Sequence, residues 1–268
     1  MCERTTSLKT FDAVSGEARL PARLLPYLQG APYREDEVGR SGSRVLLAAD
    51  KVLKIERSGE ESDNERAMYA FLQGKLPVPR VYESFCEDGV SYLLMERAAG
   101  EMACARERLK DPAQTVHLLA EGLKLLWRVD VKGCPADQRL CAKLPRAAAR
   151  LAAGLVDPTD TEPGTLPRFG SLPALYRHLD ENRPQEDLVF SHGDYCLPNV
   201  FLNADAVGGF IDLGRSGVAD RYQDIALCVR SMEHNFGTAR YTDQLFEELG
   251  IARDDFWIDY YILLDELF

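Results

Sequence analysis

Apolar and polar positions change their period along the chain, and those changes lay out its elements. Residues 45–49 (VLLAA) and 52–56 (VLKIE) are short apolar runs joined at Asp50-Lys51, which predicts a hairpin. Over 61–73, Met68, Tyr69, Phe71 and Leu72 recur at helical spacing; Gly74 offers a stop, and Pro77 and Pro79 forbid continuation. Two further strand-like runs, 80–86 and 90–95, flank the turn signal Glu87-Asp88-Gly89. From about residue 100 the period lengthens. Val116, Leu119, Leu123, Leu126 and Val129 share one face of a predicted helix over 113–130. Further helices are predicted at 139–155 and 172–183, with a Pro/Gly-rich loop at 157–171 between them. Segment 188–213 reads as β structure and the remainder as helix. The pattern describes an α+β chain of two unequal lobes with a cleft between them. The first, 1–97, is a small antiparallel sheet with one helix. The second, 98–268, is larger and mainly helical, and Ala98-Ala99-Gly100 is the candidate hinge.

Composition narrows the setting. The 268 residues are 46% hydrophobic and 28% charged, which suits an ordinary globular protein with a sizeable core. The first twenty residues lack an apolar secretory core, and no apolar run is long enough to cross a bilayer, so a cytoplasmic protein without a membrane partner is expected. Seven scattered cysteines, odd in number and without a C-x-x-C pair, argue against a disulfide framework or a zinc site. A net charge of -11 disfavours a nucleic-acid partner and is compatible with a cationic ligand.

The chemistry concentrates in SHGDYCLPNVFL (191–202) and GFIDLG (209–214). His192, Asp194 and Asn199 form H-x-D-x-x-x-x-N, and Asp212 closes the next apolar run. Phosphoryl transfer asks a protein to hold an acceptor hydroxyl in line and to place cations over developing charge. Asp194 suits the first task as catalytic base, and Asn199 and Asp212 offer hard oxygen ligands for Mg²⁺. Such a site also needs a strand lysine and a helix carboxylate to orient it. Lys54 alternates with Leu53 and Ile55, and Glu65 follows on the next helix. For the nucleotide, VGRSGSRV (38–45) contains Gly39, Gly42 and Ser43 in a turn whose N–H groups could approach phosphates. The Walker pattern is absent. Residues 92–98 fall where a kinase hinge meets adenine, with Met95 lining the pocket and the backbone at Arg97 and Ala98 facing the base. A non-catalytic nucleotide-binding module is the competing reading; intact Lys54, Asp194, Asn199 and Asp212 argue against it.

With KVLKI, GKLPVPRVYE, YLLMERAAG, SHGDYCLPN, GFIDLGRSGVADRYQDIALCVRS and YYILLDELF, the chain resembles the aminoglycoside O-phosphotransferases, in particular the 3'-phosphotransferase group, over nearly its whole length. The resemblance implies a protein-kinase-like bilobal fold. It also implies use of ATP and Mg²⁺ to phosphorylate the 3'-hydroxyl of kanamycin- and neomycin-type antibiotics, conferring resistance. It gives Asp194, Asn199, Asp212, Lys54, Glu65 and Met95 the roles read above and makes Arg215 the arginine beside the metal loop. It further implies an acidic aminoglycoside pocket built partly by Asp265, Glu266 and the carboxylate of Phe268, with Asp160 and Glu162 in the 157–164 loop. Carboxylates are the natural partners of several ammonium groups. Two departures stand out. His234-Asn235 occupies the place of an acidic pair in some members, and Val52 that of a ring stacked on adenine in some relatives. A kinase of the same fold acting on choline, homoserine or a macrolide is the alternative reading, and a monomer or weak dimer is expected.

Overall fold

Strand alternation sorts the first lobe into two layers. The computed structural model describes residues 9–10, 20–36 and 43–268. Its N-terminal strands are β1 (Lys9–Thr10), β2 (Pro32–Asp36), β3 (Arg44–Leu47), β4 (Lys51–Arg57), β5 (Val81–Glu87) and β6 (Val90–Glu96). They form one antiparallel sheet in the order β1-β2-β3-β4-β6-β5. Successive side chains of a strand face opposite sides. Leu53 and Leu94 therefore join Leu24, Leu28, Leu46 and Phe85 in a small outer core, while Leu93 and Met95 face the main core. The outer layer includes α1 (Leu25–Leu28), a second helix where one was expected. Four residues are too few to register a helical period. Between β5 and β6, Asp88 (φ 51°) and Gly89 (φ 75°) make the two-residue mirror-image turn that Asp-Gly favours.

Helix α2 (Glu60–Leu72) crosses the inner face of the sheet and buries Met68, Tyr69 and Leu72. At its start the Gly59 N–H donates to Ser62 Oγ (2.9 Å), and Glu60, Glu61 and Asp63 suit the positive end of the helix dipole.

The second lobe follows as β7 (Glu101–Met102), α3 (Pro112–Trp127), α4 (Leu140–Ala152), α5 (Thr165–Phe169), α6 (Leu172–Glu181) and β8 (Leu188–Ser191). It continues with β9 (Val200–Leu202), β10 (Val207–Phe210), β11 (Gly217–Asp220), α7 (Arg221–Phe236), α8 (Thr242–Leu249) and α9 (Asp255–Asp265). Asp111 caps α3, accepting from the Gln114 N–H at 3.1 Å, and Pro112 opens it. Val116, Leu119, Leu123 and Leu126 are fully buried as the spacing required; Val129 is buried just beyond the helix end. The Pro/Gly-rich stretch contains α5, closed by Gly170 at φ 77°. Segment 188–213 is not one sheet. β8 pairs with β11, whereas β9 lies between β10 and β7. A single core joins the inner face of the first lobe to the helices of the second.

Asp220 caps α7, accepting from the N–H groups of Tyr222 (2.8 Å) and Asp187 (3.3 Å). Burial outweighs these bonds and pushes its carboxyl from 3.8 up to about 6. Folding therefore favours the protonated form. The stability this group contributes is complete below about pH 4 and is lost as the pH rises through 6. Asn caps a helix as well as Asp and stays neutral. Asp220→Asn should be more stable than the parent by about 1–3 kcal/mol at pH 8 and no more stable at pH 4, read from urea melts at the two pH values.

Candidate active site

The loop that carries Asp194 is held by its backbone. Gly193 has φ 82°, and a Cβ there would overlap the Arg215 carbonyl oxygen, so only glycine lets the chain pass. Asp224, fully buried on α7, accepts from Ser191 Oγ (3.0 Å), the His192 N–H (2.8 Å) and the Gly193 N–H (2.8 Å). Burial raises its carboxyl, and His192 and the two N–H groups oppose the rise. Ser216 Oγ donates to the His192 carbonyl (2.7 Å), and the Leu197 N–H donates to Ser231 Oγ (2.9 Å). On this fixed loop, Asn199 Nδ2 donates to Asp194 Oδ2 (2.9 Å) and to its carbonyl (3.0 Å). Among the described residues the amide oxygen of Asn199 accepts from none, while its Nδ2 holds the aspartate.

Asp212 takes the left-handed conformation (φ 60°, ψ 58°), uncommon for a residue with a Cβ, at the head of a 3₁₀ turn over Leu213–Arg215. The far side of that turn is fastened to α2, because Asn64 Nδ2 donates to the carbonyls of Gly214 and Ser216, both at 2.9 Å. Lys54 meets the turn from the sheet. Its Nζ lies 2.8 Å from Glu65 Oε2, 3.1 Å from Asp212 Oδ1 and 3.6 Å from Glu56 Oε1. Burial by itself would depress the Lys54 ammonium; the three carboxylates overcome it and hold the group above the ordinary lysine range. Burial also raises Glu65, against the pull of Lys54. Burial is the largest influence on Asp212 and would raise it, but the charge and hydrogen bond of Lys54, together with His192 and Arg215, hold it below the carboxylate range. Its side chain is nevertheless 47% exposed and open to the cleft. One carboxylate and one amide oxygen facing a cleft fit a hard divalent ion that completes its shell with phosphate oxygens. Among the described residues no group of three or more His, Cys, Asp and Glu forms a self-sufficient metal cage.

At the hinge the expected contacts divide. The Glu96 N–H donates to the Arg80 carbonyl (2.8 Å) and the Arg97 N–H to the Asp50 carbonyl (3.1 Å), so Arg97 is occupied within its own lobe. Ala98 N–H donates to no described residue. A cavity of about 150 Å³ lies against this segment, lined by residues 77–79, 96–99 and Gly208. Met95 is buried on β6 opposite Val52. Of the glycine turn, residues 38–42 lie outside the described residues; Ser43 stands just before β3.

Of the C-terminal acids, Asp265 is met by basic side chains, which the sequence did not reveal. Asp265 receives Arg215 Nη1 (3.3 Å) on one oxygen and Arg230 Nη2 (2.6 Å) on the other, and Arg215 Nε also reaches Glu61 (3.1 Å). Asp265 is therefore a neutralised strut rather than an open contact for a cation. Arg150 donates to the Leu267 carbonyl (3.0 Å) and to an oxygen of the Phe268 terminal carboxylate (2.6 Å), which is therefore already met by a cation, and Lys143 Nζ stands 5.0 Å from the centroid of the Phe268 ring. Burial lowers Lys143 to about 8, against the attraction of Asp265. Glu266 Oε1 accepts from Thr165 Oγ1 (2.7 Å), while its Oε2 is buried without a described partner. Burial raises the Glu266 carboxyl; Thr165 opposes this, and the charge of Glu162 adds to the rise. Asp160 and Glu162 are exposed on their loop. His234 is exposed, and Asn235 turns back to donate to the Ser231 carbonyl (2.8 Å). Glu56, Asn64, Arg150, Asp224 and Arg230 were not foreseen. Asp224 alone left a trace, as an acid inside an otherwise apolar helical run.

A sheet lobe with a lysine–glutamate pair, set over a helical lobe that presents Asp194, Asn199 and Asp212, defines a protein-kinase-like phosphotransferase fold. The chain belongs to the phosphotransferase enzyme family, whose sequence profile matches residues 33–257. It is 42% identical to an aminoglycoside 3'-phosphotransferase of Niallia circulans, over 92% of this chain and 97% of that one. Among solved structures it resembles an aminoglycoside 3'-phosphotransferase of type VIII, with a TM-score of 0.75 at 31% identity over 88% of this chain and 94% of that one. An aminoglycoside phosphotransferase of Streptomyces rimosus, solved with ADP and streptomycin, shares the fold at a TM-score of 0.66 and 24% identity, over 86% and 94% of the two chains.

Gly193→Ala should separate loop geometry from chemistry. With its backbone displaced from Arg215, kinase turnover should fall about 100-fold or more while circular dichroism still reports a folded protein.

Proposed function

We propose that this protein transfers the γ-phosphoryl group of ATP to the 3'-hydroxyl of kanamycin- and neomycin-type aminoglycosides in the cytoplasm, conferring resistance. The observation that carries the reading is the convergence of Glu65 (2.8 Å) and Asp212 (3.1 Å) on Lys54 Nζ, in a chain whose Asn199 also holds Asp194. The 3'-phosphotransferase identity of the relative in Niallia circulans supports the acceptor, and the ADP held by the Streptomyces rimosus fold neighbour supports a nucleotide.

Residues 1–97 serve as the nucleotide lobe and 98–268 as the catalytic and acceptor lobe. Arg97 is still bonded to the sheet through Asp50, whereas Gly100 packs against the Leu202 backbone of the second lobe. Ala98 offers its free N–H to the adenine edge, Met95 lines that pocket, and Ser43 stands beside the phosphate turn. Lys54, aimed by Glu65, pairs with phosphate oxygens. Asn199 and Asp212 would hold Mg²⁺, which when bound neutralises charge on the nucleotide phosphates. Asp194 accepts the hydrogen bond of the acceptor hydroxyl and then its proton. The acceptor oxygen bonds to the γ-phosphorus as the bond to the β-phosphate oxygen breaks, and ADP leaves. The ammonium groups of the antibiotic are met by the exposed carboxylates of Glu162 and Asp160, with the buried Glu266 behind them and the Phe268 end held in place by Arg150. Arg215 and Asp265 shape this wall rather than charge it, and His234 and Asn235 add no negative charge. A monomer or weak dimer suffices, since every residue named comes from one chain.

A panel of aminoglycosides with Mg-ATP, followed by ADP release, tests the reading. Turnover should occur with kanamycin and fail with an analogue that lacks the 3'-hydroxyl; equal rates on both, or no turnover on any 3'-hydroxyl substrate, would overturn it. Asp194→Asn should lower kcat by about 100- to 10,000-fold with ATP affinity unchanged. Deleting Phe268 should raise the aminoglycoside KM more than the ATP KM.

A further inference from the structure

Helix α3 carries a glycine at its middle, Gly122, where helix propensity favours almost any other residue. The reason lies across the core. A Cβ on Gly122 would overlap the hydroxyl oxygen of Tyr195 and stand 3.3 Å from its Cζ and 3.4 Å from Val207 Cγ2. That hydroxyl is fully buried and donates to the Leu119 carbonyl at 2.8 Å, one turn earlier on the same helix. Tyr195 directly follows Asp194. Its ring packs edge-on against His192 (centroids 6.1 Å apart, 85°) and against Phe210 (6.2 Å). His192 and Phe210 also touch, at 6.2 Å. Two of these rings flank Asp194 in the chain and the third precedes Asp212 by two residues. The trio is thus a common floor under both candidate catalytic loops; the His192 ring accepts from the Asp194 N–H (3.3 Å), and the tyrosine hydroxyl seats the trio on α3.

We propose that Gly122 and Tyr195 are a matched positioning pair: a notch in α3 and the hydroxyl that fills it together set the height of Asp194 against Asp212. The inference rests on the reading of Asp194 as the base. Neither residue touches substrate; each acts through the loop backbone. A methyl group in the notch lifts the Tyr195 ring, and the ring carries Asp194 out of line with the acceptor, a displacement to which in-line transfer is sensitive.

The test is a double-variant cycle on the full-length enzyme, reading melting temperature, kcat and both KM values. Gly122→Ala should lower the melting temperature, although alanine is the better helix former, and should lower kcat about 10- to 100-fold with each KM within about threefold. Tyr195→Phe, which loses only the anchor bond, should lower kcat about threefold. In Gly122→Ala/Tyr195→Phe the missing oxygen makes room for the methyl, and kcat should return to within about threefold of Tyr195→Phe alone. Losses that simply add in the double variant would overturn the pairing. So would a Gly122→Ala protein more stable than the parent. A lower melting temperature with kcat intact would mean a clash without a positioning role, and would overturn that role. If Gly122→Ala does not fold, a folded and active double variant supports the pair, and an unfolded one overturns it. A parent inactive on every aminoglycoside would instead sink the functional reading, and the melting temperatures would then decide for or against the notch by themselves.

Discussion

The ammonium of Lys54 is the charge around which the two lobes are arranged. Its side chain is 12% exposed, and an unpaired ammonium in that position would cost several kcal/mol. The sheet supplies Lys54 and Glu56, α2 supplies Glu65, and the second lobe supplies Asp212. None of these elements can shift without uncovering the charge. The same constraint accounts for the left-handed backbone at Asp212. That conformation is tolerated because Lys54 holds the carboxylate in front and Asn64 holds the turn behind. Glu61 and Glu60 extend the fastening along α2 through Arg215 and Arg146.

The Asp194 loop borrows rigidity from helices on two sides. Asp224 on α7 gathers three donors from residues 191–193, and Leu119 and Gly122 on α3 receive Tyr195 from beneath. Among the described residues Asp194 makes no hydrogen bond to either helix; its carbonyl and Oδ2 are held within the loop by Asn199. Loops that carry chemistry on a fixed scaffold generally divide their residues in this way.

The C-terminal segment shows how net charge and local charge part company. A chain of charge -11 suggests an acidic cleft, yet the C-terminal segment is surrounded by Arg150, Arg215, Arg230 and Lys143. These cations order Asp265 and the last residues, and so leave the remaining negative charge to Glu266, Glu162 and Asp160. The ion pairs decide which acids can meet a polycation, which the sequence composition cannot do.

The periods along the chain by themselves determined the inner helices, the β5–β6 turn and four of the six strands of the small antiparallel sheet, because apolar spacing and turn chemistry act over a few residues; β1 and β2 carry too short an apolar pattern to register. The motif spacing likewise marked Asp194, Asn199 and Asp212, and alternation in VLKIE pointed Lys54 away from Leu53 and Ile55. Tertiary structure alone decided the rest. Lys54 and Asp212 are 158 positions apart. The notch at Gly122 has meaning only once Tyr195 lies over it, Arg97 loses its free N–H only because Asp50 lies alongside, and Asp265 is ion-paired only where α7 and the 213–215 turn converge on α9. Contacts of this kind follow from how elements pack, and packing depends on the whole chain, so no local pattern of residues records it.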